Sequence, residues 1–172
     1  MEKKTKTSRM SAILAADNDW AIGKDGGLLA HIPEDMKFFK STTKGSIVVM
    51  GRKTWDSFPK RPLPERENCV ISRTMSQAEG ARVFGSVEAF IEYAKSTSGE
   101  IFVIGGGEIY RQLLPECDRV FVTRIFESCG GDTFFPDLDA SPEWECTQAS
   151  SPIESKCRRI RFMLYERKRH DA

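Results

Sequence analysis

No apolar run in this chain approaches the roughly 18 residues that a membrane-spanning helix needs. There is no CxxC pair, and the five cysteines, Cys69, Cys117, Cys129, Cys146 and Cys157, are odd in number and scattered. Zinc and dithiol chemistry therefore find little support, and no metal is expected. The plain reading is reduced thiols in the cytoplasm. Histidine is scarce: His31 and His170 are the whole supply. An excess of one charge is also missing, with 26 Lys and Arg against 25 Asp and Glu, a net charge of +1. That balance argues against a nucleic-acid or membrane partner, so any anion site must be local. Repeats, low-complexity stretches and linkers are absent as well, and 172 residues suit one domain with a real core. Residues 1–9 are polar and basic, without the apolar centre of a secretion signal. They read as a short N-terminal tail ahead of a domain over residues 10–168.

Short apolar strands alternate with short helical patterns, the pattern of an α/β sheet. Strands are expected at Met10–Ala16, Ser46–Met50, Asn68–Ser72, Glu100–Ile104 and Arg119–Ile125. An antiparallel C-terminal pair is expected near Trp144–Ser150 and Cys157–Glu166. Helices are expected at Pro33–Thr42, Lys53–Phe58, Ser86–Lys95 and Gly107–Leu114. Pro33 suits a first helical turn, where its missing N–H costs nothing. Ser86 can cap the helix that it precedes. The segment from Gly23 to Leu29 has three glycines in seven residues. It reads either as a simple flexible turn or as a mobile lid over an active site.

Placed at helical spacing, Ile32, Asp35, Met36 and Phe39 share one face, while Glu34 and Lys37 point away. Asp35 thus interrupts an apolar stripe. A carboxylate there must be paired, or protonated with a raised pKa. Two readings stand side by side: a first-turn acid that suits the helix dipole, or the acid of a reaction that protonates a ring nitrogen.

Ile101 to Ile104 is a β-rich run that meets Gly105-Gly106-Gly107 and then a helix start. Strand, glycines and helix can bring backbone N–H groups against a phosphate. The Rossmann fingerprint is not met, since Tyr110 stands where its third glycine would be, and a tight left-handed turn is the plainer alternative. A second junction, Gly51-Arg52-Lys53-Thr54, places two cations and a hydroxyl at a helix start. Arg73 follows the next strand. In a parallel sheet Arg52, Lys53 and Arg73 could converge on one phosphate, which would favour NADPH over NADH; solvated surface charge is the alternative.

Taken in order, these blocks resemble the dihydrofolate reductase family over about Met10 to Arg167. The matching residues are Ala15 to Gly23, Ile32-Pro33-Glu34-Asp35-Met36-Lys37-Phe38-Phe39-Lys40, Val49 to Trp55, Arg61-Pro62-Leu63-Pro64, Val103 to Gly107 with Tyr110, and Gly131-Asp132-Thr133-Phe134-Phe135-Pro136. The resemblance implies a single-domain α/β fold, with about eight mostly parallel strands and helices on both faces. It implies NADPH-dependent reduction of dihydrofolate, in support of one-carbon metabolism and of thymidylate and purine synthesis, by a cytoplasmic monomer that antifolate inhibitors would also bind. Asp35 would be the only ionisable side chain in the pterin pocket, with Thr123 beside it. Water made more available by Asp35 would protonate the ring nitrogen. Ile13, Leu28, Met36 and Ile104 would complete the pterin site. Phe39, Phe58 and Leu63 would line the path of the aminobenzoyl group, and Arg66 would pair with the glutamate tail. The nicotinamide would lie across Ala15, Ile22 and Gly23, near Ile104 and Tyr110. Gly105, Gly106 and Gly107, with Arg52, Lys53 and Thr54, would hold the pyrophosphate. Gly51, Ser72, Arg73, Glu108 and Ile109 would complete the cofactor site. The bond between Gly105 and Gly106 would be cis. Two positions depart from the family pattern: Ala30 where tryptophan is common, and Leu28-Leu29 where a Met-Pro type of pair is common.

Two other functions compete. The related reductase of riboflavin synthesis also uses NADPH but has no need of the Asp35, Thr123 and Phe39 set. A non-catalytic NADPH-binding protein would keep the glycines and cations without an acid in an apolar stripe.

Overall fold

The computed structural model describes residues 9–168. Residues 1–8 of the expected tail, and His170, lie outside the described residues. Arg9 is not tail: it opens the first strand, and its N–H donates to the Gly99 carbonyl. The strands are β1 (Arg9–Ala16), β2 (Ala21–Lys24), β3 (Gly27–Leu28), β4 (Ile47–Gly51), β5 (Glu67–Ile71), β6 (Ala81–Phe84), β7 (Glu100–Gly105), β8 (Arg119–Ile125), β9 (Thr133–Phe134), β10 (Trp144–Ala149), β11 (Ile153–Ser155) and β12 (Arg158–Arg167). The helices are α1 (Pro33–Thr43), α2 (Arg52–Ser57), α3 (Val87–Ser96) and α4 (Gly107–Leu113), the last running into a 3₁₀ turn at Leu114–Glu116. Every element expected from sequence is present, with ends displaced by no more than one residue. Ser86 caps α3 as expected, its hydroxyl oxygen accepting from the Ala89 N–H at 3.1 Å.

The main sheet has nine strands in the order β10-β12-β8-β1-β7-β4-β5-β6, with β11 beside β12. From β8 to β6 all neighbours are parallel, and β12 joins antiparallel to β8. The period-two alternation of strands explains why both faces are apolar. On β1, Met10, Ala12 and Leu14 enter one cluster and Ile13 enters the other. On β4, Ile47 and Val49 go one way and Val48 and Met50 the other. The first cluster is closed by Phe90 of α3 with Ile109 and Leu113 of α4. The second is closed by Trp55 of α2 with Phe38 and Phe39 of α1. Helices therefore cover both faces.

Two expectations change. The C-terminal pair is not a simple hairpin, because β11 intervenes and shares one edge of β12 with β10. The Gly23–Leu29 segment is not an open loop. It folds into the β2–β3 hairpin, and β9 completes a second, three-stranded sheet. β2, β3, β6, β9 and β11 were not expected as strands; runs of two to four residues carry too little periodicity to be read.

The turn joining β11 to β12 has positive φ at both central residues, 48° at Lys156 and 64° at Cys157. Such turns favour Asn-Gly, since a β-carbon in this region costs about 1–2 kcal/mol. Cys157→Gly should stabilise the protein by roughly 0.5–1 kcal/mol, the left-handed cost less the extra chain entropy of glycine. Urea unfolding measures this, and a loss of stability would show that Cys157 makes compensating contacts.

Candidate active site

α1 starts at Pro33 with Ile32 as its extended N-cap, so Asp35 lies in the first turn. Across from it, β8 presents Thr123, only 1% exposed, whose hydroxyl donates to Asp35 Oδ1 at 2.6 Å. The first reading of Asp35 from sequence is met, since it is a first-turn acid, and the apolar setting that the second reading requires is present. Ile32, Ile125 and Ile160 form a buried cluster there, with half-buried Ala15, Ala30, Cys129 and Phe162 packed against it. Burial raises the Asp35 pKa, and the Thr123 hydrogen bond opposes that rise. Met36 corrects the expected stripe. It is 53% exposed, because the stripe turns inward through Phe38, whose ring stacks on Phe162 at 4.6 Å between centroids. His31 precedes the helix and is exposed.

Beyond the acid, one wall is apolar. Ile13 is buried, and Phe39, Phe58, Leu63 and Ile104 are half-buried in the same cluster. Leu28, on β3, is 64% exposed. Arg66 closes this side. Its guanidinium lies 5.8 Å from the Phe39 ring centroid, and its Nε is buried with no hydrogen-bond partner. Burial lowers its pKa, and Glu65 opposes that. A half-buried guanidinium with an unsatisfied donor can accommodate a carboxylate.

The carboxyl ends of β4, β5 and β7 lie side by side, with Gly51 in register with Ile71 and Met50 with Gly105. In parallel sheets ligands bind at such ends. Arg52 reaches across to Thr74, donating to its hydroxyl at 2.8 Å, and so meets the loop that carries Ser72 and Arg73. Ser72 is buried, and its oxygen accepts from the Met75 N–H at 3.1 Å. Lys53 stays exposed on α2. Of the three expected cations, the structure links Arg52 with the Arg73 loop.

The Gly105–Gly106 bond is cis, and Gly105 has φ of 126°. A β-carbon on Gly107 would lie 2.8 Å from the Thr133 methyl, and one on Gly51 would lie 3.0 Å from Ile109. These glycines therefore let β4, β7, α4 and β9 meet. α2 and α4 begin on Gly51 and Gly106 with no side-chain cap, and Thr54 lies near the Gly105–Gly106 bond. Glu108 directs its carboxylate along α4 to Arg111 at 2.6 Å. Tyr110 is buried, its hydroxyl donating to the Ile13 carbonyl at 2.7 Å, and burial raises its pKa. The bond ties α4 to β1.

The β2–β3 hairpin, bearing Ile22 and Gly23, hangs over this junction. Asp132 holds it from both sides: Oδ2 accepts from the Asp25 N–H at 2.9 Å, and the Asp132 N–H donates to the Gly23 carbonyl at 2.9 Å. The Asp25 N–H holds the Asp132 pKa down. Asp132 entered the sequence reading only within the matching block Gly131 to Pro136, and its partner is 107 residues away.

Sheet, glycine junctions and acid cleft together define the class: a single-domain α/β enzyme that works with a nucleotide. Comparison with known proteins supplies the family. The family model described as dihydrofolate reductase matches residues 9–169. Dihydrofolate reductase of Haemophilus influenzae is 42% identical over 135 residues, 78% of this chain and 82% of that one. The enzyme of Neisseria meningitidis is 38% identical over 160 residues, 92% of this chain and 98% of that one. Among solved structures, dihydrofolate reductase from Enterococcus faecalis, complexed with NADP(H) and RAB-propyl, superposes with a TM-score of 0.85 at 36% identity. That match covers 95% of this chain and 99% of the other. The chain belongs to the dihydrofolate reductase family. Among the described residues, no helix is long and apolar enough to cross a membrane.

Because burial raises the Asp35 pKa above its unfolded value, folding favours its protonated form. The charged form weakens the fold above that raised value, and the penalty fades as pH falls through it. Asp35→Asn should therefore be more stable than wild type in urea at neutral pH, with the gap closing in acid. A gap that widens in acid would mean that the Thr123 hydrogen bond outweighs burial.

Proposed function

We propose that this chain reduces 7,8-dihydrofolate to 5,6,7,8-tetrahydrofolate with NADPH. One observation carries the reading: a single carboxylate, Asp35, set in an apolar cleft with a raised pKa and hydrogen-bonded to buried Thr123. Family membership and the fold shared with an NADP(H)-bound relative support it.

The residues present fit the cofactor. Gly51 and Gly105 to Gly107 leave room for backbone to approach the pyrophosphate, and Arg52, Lys53, Thr54, Ser72 and Arg73 supply cations and hydroxyls at the strand ends. NADPH supplies the hydride. Ala15, Ile22, Gly23, Ile104 and Tyr110 shape the wall for its nicotinamide, with Glu108 and Ile109 in the first turn of α4. On the substrate side, Asp35 Oδ1 is taken by Thr123, which leaves Oδ2 for the pterin amide edge. Asp35 also polarises the water that protonates the ring nitrogen. Ile13, Leu28 and Met36 complete the pterin site. Phe39, Phe58 and Leu63 line the path of the aminobenzoyl group, and Arg66 receives the glutamate carboxylate. Antifolates occupy the same cleft. The product enters one-carbon metabolism. The working unit is a monomer built on the domain over residues 10–168, a reading that rests on the family resemblance. The setting is the cytoplasm, a reading supported by five free cysteines.

The first test is loss of NADPH absorbance on mixing purified protein with NADPH and dihydrofolate. Rapid loss that requires both is expected. No loss with NADPH bound would leave a binding protein or the riboflavin-type reductase. Asp35→Asn should lower turnover at least roughly a hundredfold and leave NADPH affinity unchanged. Arg66→Leu should raise the KM for dihydrofolate roughly ten- to a hundredfold, from the loss of a charge-assisted pair, with little change in the KM for NADPH. Equal changes in both KM values would place Arg66 outside the substrate site.

A further inference from the structure

Asp17 is fully buried, and the chemistry above does not use it. It follows the last residue of β1. Its Oδ1 accepts from the Asp19 N–H at 2.8 Å and from the Ala21 N–H at 2.9 Å, and its Oδ2 accepts from the Cys129 N–H at 2.8 Å. Those donors belong to two different segments. Ala21 is the first residue of β2. Cys129 opens the run that passes through Asp132 into β9. β2 and β9 pair with each other, and the Phe135 N–H also donates to the Trp20 carbonyl at 2.8 Å. Asp132 fastens the tip of the hairpin to this run. One carboxylate thus fastens the roots of both strands of the flap to β1, which lies in the middle of the main sheet.

We propose that Asp17 is a positioning residue for hydride transfer. It sets the β2–β9 flap against β1, so that Ile22 and Gly23 face Ala15 across the nicotinamide wall. The proposal rests on the functional reading above. Paired strands β2 and β9 can hold each other without Asp17, and main-chain bonds from the Asp17 N–H to the Ala21 carbonyl and from the Asn18 N–H to the Glu127 carbonyl bring their roots to the end of β1, but the carboxylate of Asp17 bonds both segments at once and so sets the register of the pair over β1. Backbone N–H groups bonded to a buried carboxylate supply that register, and charge-assisted bonds are the strong kind. Asparagine is a selective probe. Its amide oxygen can keep the Asp19 and Ala21 donors, while its NH₂ group then faces the Cys129 N–H, donor against donor.

The test compares Asp17→Asn, Asp132→Asn and the double variant with wild type, by single-turnover hydride transfer and by amide exchange over residues 21–25. Asp17→Asn should slow hydride transfer roughly tenfold or more, since small misplacement of reacting groups is costly, and should speed exchange in the flap. The double variant should be no slower than the slower single variant, because both residues act through the same flap, while the unfolding midpoints fall additively. A purely structural role would lower the midpoint and leave hydride transfer and flap exchange at wild-type values. That result, or slowdowns that multiply in the double variant, would overturn the proposal. Amide exchange needs no substrate. Faster flap exchange in a protein that does not reduce dihydrofolate would sink the functional reading and keep the flap anchor. If Asp17→Asn does not fold, Asp17→Ser removes the charge without adding the opposing NH₂ group, and the same outcomes decide.

Discussion

The hydrogen bond from Thr123 to Asp35 joins the first turn of α1 to β8, and the rest of the site is arranged around it. A carboxylate in an apolar cleft is tolerated only where some partner meets part of its bonding demand. Thr123 takes one oxygen and opposes the rise in pKa that burial causes. α1 has no side-chain cap, so this contact and the buried Ile32 secure its start against the sheet. The same helix then turns Phe38 onto Phe162 and Phe121, which closes the floor of the cleft.

A second constraint is close approach. The ends of β4 and β7 meet α4 and β9 at distances that admit no β-carbon at Gly107 without a shift and leave little room for one at Gly51. Those glycines do not serve as flexible joints. They let rigid elements touch, and the contact brings the uncapped starts of α2 and α4 beside the carboxyl ends of the parallel strands. The flap is held over this junction by Asp132 at its tip and Asp17 at its roots. In the function proposed, anion binding would use the strand ends and pterin binding would use α1 and β8.

Much of this was legible because it is local. Strand alternation and three-to-four spacing report burial directly, which is why Asp35 stood out and why the main elements fall within one residue of expectation. Met36 shows where that reasoning stops. Periodicity assigns a face to a helix but does not say how far the neighbouring surface extends, and Met36 lies past the edge of what covers α1. The three basic residues show a similar limit. Register placed Arg52 and Arg73 at adjacent strand ends, whereas the direction of each side chain depends on partners such as Thr74 and Asp56.

By itself the sequence determined the α/β class, the order of the main elements, the acid and the glycine junctions, since each of these is written in neighbouring residues through periodicity, turn chemistry and backbone freedom. The tertiary structure decided what polar groups far apart in the sequence bond to, and of these pairs Asp35 with Thr123 was expected only through the family resemblance. Thr123 meets Asp35 across 88 positions, Asp132 meets Asp25 across 107, and Cys129 meets Asp17 across 112. No local pattern encodes such pairs. They exist because the parallel sheet brings distant strand ends together, and because buried polar groups must be satisfied by whatever the fold places beside them.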